Sequence, residues 1–97
     1  MRAAVWEAEH HLLRGEWYAA ARPLERLAPG EAGDLDELVQ GLHHLAAAGF
    51  KASCGERERA RRQVAHARRR LGEFLPEAEQ VDLAALLNLV EAAVEQG

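Results

Sequence analysis

Apolar residues return every three or four positions along most of this chain, the spacing of an α-helix with one buried face. Five such stretches can be read. The first runs from Arg2 to Arg14, with Val5, Trp6, Ala8, Leu12 and Leu13 on one broad arc. Gly15 follows it, the residue type that closes a helix in the left-handed conformation. Glu9 falls inside the arc, either at its solvent edge or as a buried carboxylate with an Arg or His partner. The second stretch runs from Glu16 to about Ala28, with Trp17, Ala20, Ala21, Leu24, Leu27 and Ala28 as its stripe. Pro23 sits inside it, removes a backbone donor and predicts a kink. Pro29-Gly30 and Gly33 mark a loop.

The third stretch is the widest. Leu35, Leu38, Val39, Leu42, Leu45, Ala46, Gly49 and Phe50 cover a broad arc, behind an expected N-cap at Asp34 and acids at Asp36 and Glu37. Gly41 and Gly49 each cost about 1 kcal/mol against alanine in a helix, so their presence predicts close approach of neighbouring helices. The fourth helix, 56–71, has a narrow stripe of Ala60, Val64, Ala67 and Leu71, as expected of a peripheral helix. Phe74 and Leu75 are expected to tuck the next loop onto the core. The fifth starts at or just before an Asp82 cap and faces Leu83, Leu86, Leu87, Val90 and Val94 one way. Ala85, Leu89 and Ala92 carry its apolar arc past half the circumference, more than one core face needs. These three residues are therefore the expected interface of a homodimer, the commonest soluble assembly, or of another protein partner.

Gly15-Glu16 with Ala20 returns 40 positions later as Gly55-Glu56 with Ala60. Each pair follows an apolar helix and opens a second one. The pattern predicts two stacked helical hairpins and a closing helix. The fold class is therefore all-α: one domain over residues 1–97, a five-helix bundle of antiparallel hairpins around a central third helix. Composition agrees, because isoleucine and threonine are absent and alanine, leucine and arginine dominate.

Charge and chemistry narrow the function only by exclusion. The net charge is −4, yet positions 56–70 hold seven arginines and two glutamates, a local +5 that leaves −9 for the rest. Arg57, Arg61 and Arg68 line one side of that helix, and Arg62 and Arg69 another. Arginine suits phosphate or carboxylate. With no interleaved aromatic and an acidic chain overall, ion pairing within the protein is favoured over RNA or another acidic partner. Cys54 is the lone cysteine, so no intrachain disulfide forms. Nearby Arg57 would favour the thiolate, but the C-terminal end of a helix opposes it, so a small buried or half-buried thiol is the expectation. The histidines lie at His10-His11, His43-His44 and His66; Glu7 with His11, and Gln40 with His44, share helix faces. Two ligands per helix are too few for a zinc site, so they read as polar face positions, and no metal or cofactor is expected. No apolar run reaches the ~18–20 residues of a membrane span, and early acids argue against a signal peptide. A cytoplasmic protein without a membrane partner is the expectation.

The segments Gly15-Glu16-Trp17-Tyr18-Ala19-Ala20-Ala21-Arg22-Pro23-Leu24-Glu25 and Gln40-Gly41-Leu42-His43-His44-Leu45-Ala46 resemble a small all-α family, domain-of-unknown-function family 309. Its pattern is an aromatic-Asn-x-Gly-x-aromatic-aromatic-Glu-Ala-His-Glu-x-Leu-Glu helix, then a Gln-Gly-Leu-Ile-Gln-x-Ala helix. Gly15, Trp17, Tyr18, Ala20, Leu24 and Glu25 match the first, and Gln40, Gly41, Leu42, Leu45 and Ala46 the second; Gly55 and Ala60 fit its next turn. Ala19-Ala20-Ala21-Arg22 stands where the family has Glu-Ala-His-Glu, so a site built on that Glu and His has no counterpart. The resemblance implies an all-α fold and leaves Glu25 and Gln40 as the polar motif positions. The second helix also resembles that of a tetratricopeptide hairpin, through Gly15-Glu16-Trp17, Ala20 and Pro29, which implies protein binding.

The expected function is a non-enzymatic helical protein-interaction domain. The alternative is a small enzyme or metal protein with a pocket around Tyr18, Glu25, Gln40 and His43. Tyr18 and Glu25 flank one helix stripe and Gln40 flanks the other, so Glu25 and Gln40 are expected to face each other, with Gln40 and Tyr18 donating to a buried carboxylate.

Overall fold

The computed structural model describes residues 1–96. Its helices are α1 (Arg2–Leu13), α2 (Trp17–Glu25), α3 (Asp36–Ser53), α4 (Arg57–Leu71) and α5 (Leu83–Gln96). Two 3-10 turns, Gly33–Leu35 and Gly72–Phe74, lead into the α3 start and out of the α4 end. Two short strands, β1 (Glu77–Ala78) and β2 (Val81–Asp82), pair antiparallel before α5. The architecture is all-α, and no helix is long and apolar enough to cross a membrane.

The same turn is built twice. Gly15 has φ +72° and Gly55 φ +79°. The Gly15 and Gly55 amides donate to Leu12 and Ala52 carbonyls at 3.1 and 3.0 Å, and the Glu16 and Glu56 amides to His11 and Lys51 carbonyls, both at 2.9 Å. This is the paired hydrogen-bond closure that a left-handed glycine permits at a helix C-terminus. The carbonyls of Glu16 and Glu56 then accept from Ala20 and Ala60 and open the next helix, both at 2.9 Å. One glutamate thus ends one helix and begins the next, so the connection needs no further loop. The 40-residue repeat in the sequence is a repeat of this hairpin.

Helix α3 is central. Its 18 residues, at about 1.5 Å each, run most of the 33 Å long axis, and α1, α2, α4 and α5 all touch it. Its most extensive contact is with α4, which corrects the expectation that α4 is peripheral: the stripe Ala60, Val64, Ala67, Leu71 is narrow but wholly buried. Small residues explain this. A Cβ on Gly41 would fall inside the Leu71 side chain of α4, and one on Gly49 inside the Trp17 indole of α2. The core is apolar throughout, with no buried polar side chain among the described residues.

Several positions depart from the sequence reading. Helix α2 stops at Glu25 instead of about Ala28. Pro23 lies inside α2, where its missing N–H leaves the Ala19 carbonyl without a helical donor. The helix continues two residues further and closes with Arg26 and Leu27 amides on Arg22 and Leu24 carbonyls, which leaves Ala28 outside it and exposed. Asp34 lies in a 3-10 turn and caps nothing; Leu35 precedes α3 without a side-chain cap. Asp82 does cap α5, its Oδ1 accepting from the Ala85 amide at 2.9 Å. Trp6, Leu13 and Phe50 are exposed. The Trp6 indole donates to the Glu79 carbonyl at 2.9 Å, and Arg2 Nε to the Glu79 carboxylate at 2.8 Å. Both hold the β1–β2 turn, where Glu79 and Gln80 have φ of 50° and 65°. Glu9 is half-buried, at the edge of the arc. Phe74 packs on the core while Leu75 is exposed.

The glycines yield a direct test. Gly49→Val and Gly41→Val should each lower unfolding free energy in urea by about 2 kcal/mol, the scale of overpacking. Gly72→Ala meets nothing within 4 Å at a helical φ of −49°, and should leave stability unchanged or raise it by up to about 1 kcal/mol. Wild-type stability for Gly49→Val would mean that the Trp17 contact holds nothing.

Candidate functional site

Helices α2 and α3 leave an open groove between them. At one end it is lined by Trp17, Tyr18, Ala21, Ala46, Ala47 and Phe50. Along the other it is lined by Leu24, Val39, Gln40, Glu25 and His43. The helical period puts them there. Residues 17/18, 21 and 24/25 follow one face of α2, and 39/40, 43, 46/47 and 50 follow one face of α3. Gly49 sets the depth, because the Trp17 ring lies where a side chain would otherwise stand. Alanines between the aromatics form the floor. Tyr18 is 68% and Phe50 48% exposed.

All four pocket residues expected from sequence therefore line one groove, but not as expected. Glu25 bonds to His43, whose Nε2 lies 3.0 Å from Oε2, and not to Gln40. Gln40 is exposed one turn away on α3. The Glu25 side chain is 58% exposed, so no buried carboxylate exists. Tyr18 gives it no proton and instead carries the Arg22 guanidinium 5.9 Å above its ring. The sequence reading missed Phe50, Ala21 and Ala47 as groove residues. The signal was present in the i, i+3, i+4 spacing that joins Phe50 to Gln40 and His43, but Phe50 was assigned to the core.

The arginines of α4 are mostly occupied. Arg61 forms ion pairs with Glu95 and Glu58, both at 2.7 Å, Arg68 with Glu91 at 2.6 Å, Arg59 with Glu56 and Arg70 with Glu37, both at 3.0 Å. Arg57 donates to the Glu95 carbonyl at 3.2 Å and Arg69 to the His66 ring. Arg62 has no hydrogen bond among the described residues. The hydrogen bond from Arg61 holds the Glu95 carboxyl below its ordinary range and raises Arg61 in turn. A phosphate would have to displace these carboxylates.

The remaining candidates are scattered. His11 pairs with Glu16 at 2.7 Å instead of Glu7, and that hydrogen bond lowers the Glu16 pKa. His44 donates to Gln63 at 2.7 Å instead of Gln40, with its ring 5.2 Å from that of His66. Cys54 is exposed, against expectation, because α3 ends its buried face at Ala52. Among the described residues no three His, Cys, Asp or Glu groups converge as metal ligands. On α5, Ala85 and Ala92 are exposed, but Leu89 is half-buried against the protein's own core. No protein-family model, curated protein or solved structure matches the chain.

The shifted groups predict two acid transitions. Loss of water around its ring, then Arg69, His44 and Arg70, lower the His66 pKa from 6.5. The unfolded chain therefore takes up this proton first, and stability falls as pH drops below 6.5. The Glu16 and Glu95 carboxyls are lowered from 4.5. Their contribution is complete above that value and is lost as pH falls through their folded pKa. Thermal melts should show a lower Tm at about pH 5.5 than at about pH 7.5, and His66→Gln should lessen that drop. Glu95→Gln should flatten only the more acidic limb.

Proposed function

We propose that this chain is a non-enzymatic helical interaction domain that holds an apolar segment of another protein in the α2–α3 groove. One observation carries the reading: Tyr18 and Phe50 stay exposed beside an alanine floor, while the large aliphatic side chains of the helices are almost all buried. Exposed apolar surface gathered in one groove, unlike single scattered residues, marks binding sites. The two parts of the groove hold about 160 and 210 Å³. Each part alone is smaller than the ~300–1,000 Å³ of sites that enclose a drug-sized molecule, and both are open along the helix surface. A trough of this size suits side chains from a helix laid along it.

The test is a titration of isotope-labelled protein with an amphipathic peptide carrying leucines at helical spacing, followed by amide chemical shifts. Saturable shifts should gather at Ala21, Ala46, Ala47 and Phe50. Ala47→Glu should abolish them while far-UV circular dichroism stays helical. No shift at about 1 mM peptide, a binding free energy weaker than about −4 kcal/mol, would sink the reading.

A further inference from the structure

We infer that the segment received by the groove is acidic: an amphipathic helix whose apolar stripe fills the trough and whose flanking carboxylates meet Arg22 and Arg26. This rests on the groove being the binding site. The charges around it carry the inference. Arg22, in α2, and Arg26, the residue that follows its last turn, are four residues apart and both exposed, and neither forms an ion pair among the described residues. Lys51, which follows Phe50 in α3, has none either. On α4, by comparison, four of the seven arginines, Arg59, Arg61, Arg68 and Arg70, meet a carboxylate, while Arg57, Arg62 and Arg69 do not.

The chain is acidic overall, at −4, so carboxylates are plentiful, yet none is placed against Arg22 or Arg26. Arg22 is also positioned. Its guanidinium lies over the Tyr18 ring at the groove edge, a contact that orders the cation without neutralising it. The one carboxylate in the groove, Glu25, is engaged by His43. The groove edge therefore offers the unpaired Arg22 beside an apolar floor, with Arg26 four residues on, just past the end of α2. An aliphatic helix edged with Asp or Glu complements both, and a basic helix would meet repulsion at Arg22 and Arg26.

The experiment uses three capped peptides of about 14 residues, long enough at ~1.5 Å per residue to lie along the groove. All carry the same leucine stripe; the flanking positions are Glu, Lys or Gln. Dissociation constants come from amide shifts of the labelled chain at about 50 mM and about 0.5 M salt. The Glu peptide should bind about tenfold more tightly than the Lys peptide at low salt, with the Gln peptide between. High salt should shrink the spread. Arg22→Gln with Arg26→Gln should bring the Glu peptide to the affinity of the Gln peptide. Equal affinities with shifts still in the groove would overturn the acidic partner and keep the groove as a binding site. No binding by any peptide would overturn both. Groove shifts that grow with protein concentration alone would assign the surface to a second copy and overturn the acidic partner. Groove shifts with a single-stranded uridine oligonucleotide, stronger than with the Glu peptide, would replace it with nucleic acid.

Discussion

The close approach of neighbouring helices to α3 is the constraint on which the rest of the structure depends. Two glycines permit it. Gly41 admits Leu71 of α4, and Gly49 admits the indole of Trp17 from α2. A helix that bears glycine in its interior loses about 1 kcal/mol per site against alanine, and the recovered packing must exceed that. At Gly41 the gain is a leucine with no exposed surface. At Gly49 the gain is positional as well. Trp17 is the first residue of α2, so its docking fixes where that helix begins, and with Glu16 shared between α1 and α2 it orients the whole first hairpin.

Electrostatics divide the molecule into two unlike surfaces. The arginines of α4 tie it to α5 through Glu91 and Glu95, and to α3 through Glu37. Each such exposed pair contributes only ~0–1 kcal/mol, so their chief effect is on the field: a helix that would read as basic alone presents mixed charge. Around the α2–α3 groove the arginines lack this compensation. The unusual composition of residues 56–70 is thus answered inside the fold at Arg59, Arg61, Arg68 and Arg70, while Arg22 and Arg26 keep their charge for solvent.

The helices, the repeated turn and the glycine contacts were legible because each is written locally. A period of three to four residues needs no knowledge of neighbours, and Gly15-Glu16 encodes its own hydrogen bonds. The departures at α3 and at the groove lie where one helix meets another. A wheel drawn for α3 places Phe50 with Leu42 and Gly49, but the Trp17 indole of α2 settles on Gly49 and leaves the neighbouring Phe50 at the groove, 48% exposed. Trp6 reads as core until the β1–β2 turn, over seventy residues away, offers its carbonyl. Glu25 is expected from sequence to bond Gln40, yet its partner is His43, one turn along α3, because the axial offset between two helices is not written in either one. The β1–β2 turn itself has Glu79 and Gln80 at positive φ, residues with none of the turn preference of Asn or Gly, so nothing local announced it.

The repeat makes the difference between the two hairpins informative. Their turns match almost atom for atom, and Ala20 and Ala60 are buried alike. What differs is the face each second helix offers its neighbour. In α2 that face is Trp17, Tyr18 and Ala21; forty residues on in α4 it is Arg57, Glu58 and Arg61. The α4 face closes on α5 with ion pairs between Arg61, Arg68, Glu91 and Glu95. The α2 face is only half covered by α3, leaving aromatic rings in water. Exposed apolar area costs about 25 cal/mol per Å² relative to burial, and one substitution such as Phe50→Lys would remove much of it without touching the core. A scaffold that builds a closed, solvated junction at its second hairpin has the means to do so at its first. The open aromatic junction is therefore the part of the fold that stability alone does not explain.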